Sequence, residues 1–126
     1  MDNKKKLLVV DDDEIFLFTA NYVLKKLFPD MEIVTSKNGE EALEQLKNET
    51  PQAMFLDLNM PIMDGWEVLD NLSASNESSP FPIIIVTSSI DPADKEKANR
   101  HPFKPGFVEK PLSEENINSL KAQLEL

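Results

Sequence analysis

Three apolar runs in this chain are too continuous to lie on a sheet with one face in water: Leu7-Leu8-Val9-Val10, Ala53-Met54-Phe55-Leu56 and Ile83-Ile84-Ile85-Val86. A half-solvated strand alternates polar and apolar side chains, whereas a strand apolar at every position is covered on both faces. Between these runs the apolar period changes to that of a helix. Ile15–Phe28 carries apolar residues at 15, 16, 18, 20, 23, 24, 27 and 28, Glu40–Lys47 repeats through Ala42, Leu43 and Leu46, and a third segment opens at Met63-Asp64-Gly65 and continues through Trp66, Val68, Leu69 and Leu72. Met31–Thr35, Gly106–Glu109 and the stretch Ala53–Leu58 read as strands, and Ser73–Pro80 as a polar loop. Asp91 with Pro92 predicts the start of a short helix reaching about Asn99, and Ser113 caps a closing helix to Leu124. The order βαβαβαβαβα predicts a five-stranded parallel sheet with helices on both faces and right-handed crossovers.

A chain of 126 residues, 40% hydrophobic, suits one domain with a full core. The absence of cysteine excludes disulfides and thiolate metal sites. Lys4-Lys5-Lys6 leads into only four apolar residues, and no run approaches the ~20 needed to span a bilayer, so a soluble cytoplasmic protein is expected. A net charge of −10 argues against general binding to nucleic acid or anionic membranes.

The chemistry gathers where the strands end. In open parallel sheets ligands bind beyond the carboxyl ends of the strands. The first strand ends in Asp11-Asp12-Asp13-Glu14, the third in Asp57 followed by Asn59, the fourth in Thr87-Ser88-Ser89, and the fifth is followed by Lys110-Pro111. Two like charges about 4 Å apart repel by about 4 kcal/mol at an effective dielectric near 20. Either the carboxylates hold protons or a cation sits among them. Oxygen-only donors favour a hard cation, and Mg²⁺ suits a site that keeps several waters. A bare metal cage has no use for a lysine and a hydroxyl. A phosphoryl cradle does, and an aspartate can itself accept the phosphoryl group. Asp13 and Glu14 read instead as the N-cap and first-turn acid of the following helix.

The motifs "LLVVDDDE", "FLDLNMPIMDGWEVL", "IIIVTSS" and "FVEKPL", with Thr87 30 positions after Asp57 and Lys110 23 positions after Thr87, resemble the receiver domain of two-component response regulators, of the stand-alone chemotaxis-regulator type. The resemblance covers nearly the whole chain and implies a flavodoxin-like, doubly wound α/β fold with strand order 2-1-3-4-5. It implies a single receiver domain over residues 1–126 with no output domain. Asp57 would be the phosphoacceptor, Asp12 a direct Mg²⁺ ligand, Asp11 a ligand through water, and the backbone carbonyl of Asn59 a further ligand beside Asp57 itself. Thr87 would bond the phosphoryl group and act as switch. Lys110 would pair with the phosphoryl group, next to a cis Lys110-Pro111 bond. Phe107 stands where relatives carry a rotating aromatic, and without a hydroxyl it could switch only by packing. Asn59 and Ser89 would tune water access to the phosphoryl group.

The implied partners are a sensor histidine kinase or histidine phosphotransfer protein and a separate downstream target met through the face of the fourth helix, fifth strand and fifth helix. The chain would act as a monomer or weak homodimer and catalyse only its own phosphorylation and dephosphorylation. A phosphohydrolase of the haloacid dehalogenase type would need an acid where Asn59 stands, and a flavin-binding relative would need a Ser/Thr-rich loop where "DDDE" stands. Trp66 reads as a packing residue, and His101, beside Pro102, as an exposed one. Pro92, Pro102 and Pro105 mark the segment that departs most from the resemblance.

Overall fold

The computed structural model describes residues 5–88 and 91–124. Strands β1 (Lys6–Val10), β2 (Glu32–Ser36), β3 (Ala53–Leu56), β4 (Ile83–Thr87) and β5 (Gly106–Glu109) form one parallel sheet in the order β2-β1-β3-β4-β5. Val10 pairs with both Ser36 and Leu56, Leu56 with Ile85, and Thr87 with Glu109, so the C-terminal ends of all five strands lie along one edge. Helices α1 (Glu14–Leu27), α2 (Gly39–Asn48), α3 (Gly65–Ser73), α4 (Pro92–Arg100), α5 (Glu114–Ser119) and α6 (Lys121–Leu124) complete the chain. The predicted fold, including strand order, is the observed one.

Alternate residues of each central strand supply two cores. Leu8, Val10, Met54, Leu56, Ile83 and Ile85 pack with Ala42, Val68 and Leu69 from α2 and α3. Leu7, Val9, Phe55, Ile84 and Val86 pack on the other face with Phe16 and Leu24 of α1 and Ile117 of α5. This two-sided burial is why these strands show no polar alternation.

Local chemistry fixes the helix starts. Asp13 accepts from the N–H groups of Ile15 and Phe16, and Asp91 from that of Ala93. Asp64 with Glu67, and Ser113 with Asn116, form reciprocal capping boxes. Several boundaries differ from the sequence reading. β2 begins and ends one residue later than expected. β3 stops at Leu56 because its ladder with β4 ends at the Leu56–Ile85 pair, although Leu58 stays buried. The closing helix breaks at Leu120, whose φ of −100° and ψ of −1° depart from helical values, leaving α6 as a final turn.

His101 is a correction: it is buried, at 8% exposure. It caps the C-terminus of α4, and its Nδ1 accepts from the Phe103 N–H at 3.1 Å, which turns the ring inward.

Candidate functional site

Asp57 follows β3 at the centre of the sheet. Its backbone N–H donates to the Val10 carbonyl at 2.9 Å, and the residue is only 5% exposed. Asp11 follows β1, donates its N–H to the Ser36 carbonyl at 3.0 Å, and is fully buried. Its Oδ1 accepts from the Asp13 N–H at 2.9 Å. Asp12 is exposed at the rim. Carboxylate oxygens of Asp11, Asp12 and Asp57 lie within 4.8 Å of one another.

Lys110 comes in from β5. Its backbone N–H donates to the Thr87 carbonyl at 2.8 Å, which ties the two strand ends together. Its Nζ lies 2.7 Å from Asp11 Oδ2 and 3.9 Å from Asp57 Oδ1. The same ammonium stands 4.5 Å from the Phe16 ring centroid, over an aromatic face that favours a cation. The Lys110-Pro111 bond is cis. Thr87 ends β4 and is buried beside this cluster's strand edge. Asn59 is exposed on the loop after Asp57. Ser89 lies outside the described residues.

The electrostatics follow from this crowding. Burial pushes the Asp57 carboxyl up to about 6, Asp11 adds to the rise, and Lys110 and a hydrogen bond from the Asn59 backbone oppose it. Burial also raises Asp11 above the usual carboxylate range, against the hydrogen bond from Lys110. One ammonium thus only partly offsets three carboxylates, two of them buried. An all-oxygen cluster of this kind can hold a hard divalent cation, which would relieve the repulsion.

The loop between β3 and α3 is tightly built. A Cβ on Gly65 would stand 2.5 Å from the Asp57 carbonyl oxygen and 2.9 Å from Leu58 Cα, so the start of α3 presses against the backbone of Asp57. The Gly65 N–H donates to the Leu58 carbonyl at 3.0 Å. Ile62, in the same loop, has a φ of 71° and is 73% exposed, a left-handed conformation unusual for a β-branched residue.

Phe107 is half-buried on β5, paired with Ile85 and packed against the core under α2 and α3. Trp66 packs against the same core, with Lys97 Nζ 4.6 Å from its ring. A further feature escaped the sequence reading. Ile15, Phe18 and Tyr22 are 77%, 74% and 69% exposed, and their spacing of three and four puts them on one stripe of α1. The signal was present: α1 carries more apolar residues than one buried face uses.

Comparison with known proteins gives the family and the fold. Residues 7–121 match the response regulator receiver domain. Over 90 residues the chain is 42% identical to a protein-glutamate methylesterase/protein-glutamine glutaminase of Halalkalibacterium halodurans, covering 71% of this chain and 25% of that protein. It is 36% identical over 91 residues to the alkaline phosphatase synthesis transcriptional regulatory protein PhoP of Bacillus subtilis, covering 72% of this chain and 36% of that protein. The aligned stretch thus spans about a quarter to a third of these curated relatives. Among solved structures, a two-component response regulator from Cytophaga hutchinsonii superposes with a TM-score of 0.84 at 26% identity, covering 98% of each chain. The chemotaxis protein CheY4 of Vibrio cholerae shares the fold, with a TM-score of 0.81 at 23% identity over 96% of this chain and 98% of that one. The chain belongs to the response regulator receiver domain family.

Proposed function

We propose that this chain is a phosphorelay module in which Asp57 accepts a phosphoryl group, with Mg²⁺ as cofactor, and the change at the site is passed to another protein. The observation that carries this reading is the meeting of Asp11, Asp12, Asp57 and Lys110 at one strand edge, with Thr87 at the end of the neighbouring strand. The donor set fits Mg²⁺: oxygen ligands only, with a buried charge excess that a cation would balance.

Asp12, Asp57 and the Asn59 carbonyl would hold the ion directly, and Asp11 through water. When bound, the ion supplies charge neutralisation at the phosphoryl oxygens. In the transfer, a carboxylate oxygen of Asp57 forms the new P–O bond as the donor's bond to phosphorus breaks. Lys110 moves from Asp11, 2.7 Å away, to the incoming phosphoryl oxygens; its ammonium lies 3.9 Å from Asp57 Oδ1. Thr87 donates its hydroxyl to a phosphoryl oxygen, and Phe107 responds by repacking. The cis bond at Pro111 belongs to the loop that presents Lys110.

No helix among the described residues is long and apolar enough to cross a membrane, in keeping with a cytoplasmic module. The phosphodonor is a histidine kinase or phosphotransfer protein, and the exposed stripe Ile15, Phe18, Tyr22 on the helix that follows Asp12 supports a protein donor covering that side. The downstream target is a separate protein that reads α4, β5 and α5.

Phosphate stoichiometry tests the reading. With acetyl phosphate and Mg²⁺, one phosphoryl group per chain is expected, released slowly. Rapid multiple turnover of phosphate esters would instead make the site a phosphohydrolase.

A further inference from the structure

Of the nine residues of α4, only Ala98 is buried. A helix of this length is not stable alone and is normally held by an apolar stripe along its length. α4 lacks that stripe, so its position must be fixed by other contacts. Among the described residues, several such contacts lie at its C-terminal end. His101 donates its backbone N–H to the carbonyls of Lys97 and Ala98 at 3.0 and 3.2 Å, and its own carbonyl accepts from the Lys104 N–H at 2.9 Å. Its ring meets Phe103 edge-on, with centroids 5.4 Å apart and planes at 72°. Phe103 in turn belongs to the core beneath α3 and β4.

The ring is also fixed in orientation. Because Nδ1 accepts from the Phe103 N–H, a neutral imidazole carries its proton on Nε2. Nε2 is buried and faces Asp70 on α3, 3.5 Å from its Oδ1, a close approach without a hydrogen bond. One turn back, Lys97 Nζ lies 4.6 Å from the Trp66 ring. Trp66 and Asp70 are one turn apart on α3, and Lys97 and His101 are one turn apart at the end of α4. The two helices therefore meet through two rungs, Trp66–Lys97 and Asp70–His101. Nearer the start of α4, Ala93, Lys95 and Glu96 are exposed and Asp94 is half-buried.

We propose that His101 pins the C-terminal end of α4 to α3 and the core, so that α4 moves as a lever whose swinging end is the one that follows Thr87. The pin bears on the site from both sides. α3 starts against the Asp57 backbone through Gly65, and α4 starts a few residues beyond Thr87. A change at Thr87 would thus tilt α4 about residues 98–103 instead of sliding it. The proposal rests on the receiver reading only for its trigger, phosphorylation at Asp57.

The absence of cysteine allows paired spin labels at introduced cysteines. One label sits on α2 (Lys47→Cys) and the other on α4, at Ala93→Cys or Arg100→Cys, all exposed positions. Without ligand, the distance distribution to position 93 is expected to be about twofold wider than that to position 100. Beryllofluoride with Mg²⁺ should shift the first distance and leave the second in place. His101→Phe keeps an aromatic ring but loses both nitrogens, and should widen the distribution at 100 to match that at 93. His101→Asn, whose side-chain oxygen can take the Phe103 N–H, should restore much of the narrowness. Should His101→Phe fail to fold, the exposed double variant Asp70→Ala/Lys97→Ala is expected to widen position 100 in the same direction. Equal widths at 93 and 100 in the otherwise native chain overturn the pin, as does a narrow position 100 once the rungs are removed. Intact mass after acetyl phosphate treatment reports the trigger separately: a missing adduct counts against the receiver reading, while the unliganded widths still decide the pin.

Discussion

The Lys110 ammonium lies 2.7 Å from Asp11 and 3.9 Å from Asp57, so without a phosphoryl group it is engaged mainly by the buried acid of β1. Removing it leaves Asp11 and Asp57 facing each other uncompensated. Lys110→Met is expected to lower stability in metal-free buffer by about 1–3 kcal/mol, the cost of leaving a buried charged partner unmatched. Mg²⁺ should recover more stability in the variant than in the wild type. Urea unfolding with and without Mg²⁺ reads both effects, and an unchanged midpoint would show that Lys110 carries no structural charge compensation.

Acid–base linkage gives a second test. Burial, then the charge of Asp11, raises Asp57 from 3.8 to about 6. Between those values the folded protein keeps a proton that the unfolded chain has released. The resulting stabilisation is present below the unfolded value and is lost as pH rises through about 6. Asp57→Asn removes the buried charge. It should therefore be more stable than the wild type at pH 7 without Mg²⁺, by up to about 3 kcal/mol, with the gap closing towards pH 4. Denaturant curves across that range check it. A gap that widens on acidification would reverse the sign.

Gly65 limits what the loop after Asp57 can tolerate. The added Cβ of Gly65→Ala would meet the Asp57 carbonyl oxygen at 2.5 Å, and that atom is backbone, so the loop itself must move. A cost of about 1–3 kcal/mol is expected, together with slower labelling by acetyl phosphate. Thermal unfolding and the labelling time course measure the two consequences.

The α1 stripe separates small-molecule from protein donors. Phe18 is 74% exposed and outside both cores. Phe18→Ala should change stability by no more than about 0.5 kcal/mol and leave acetyl phosphate labelling intact. Transfer from a phosphorylated histidine protein should slow. Equal slowing with both donors would place Phe18 in the folding of the site instead of in donor contact.

The parts legible in the sequence were those set by local pattern. The runs at 53–56 and 83–86 announced central strands because burial on both faces removes polar alternation, and the acids and lysine at strand ends followed from parallel topology. What was hidden depended on contacts between distant segments. Periodicity marked α1 but did not tell Phe16 and Leu24, which face the core, from Phe18 and Tyr22, which do not. The burial of His101 follows from the chain reversal to Phe103 and the docking of that ring under α3. β3 ends at Leu56 because its neighbour's ladder ends there, while the apolar run in the sequence continues to Leu58.

The most direct measurement is the site and metal dependence of phosphorylation. The protein is treated with acetyl phosphate in Mg²⁺ or in EDTA, and the adduct is mapped by mass spectrometry in the wild type and in Asp57→Asn. A single adduct on Asp57, formed only with Mg²⁺ and absent from the variant, is expected. An adduct that persists in Asp57→Asn, or forms equally well in EDTA, would contradict the assignment of Asp57 as the metal-dependent phosphoacceptor.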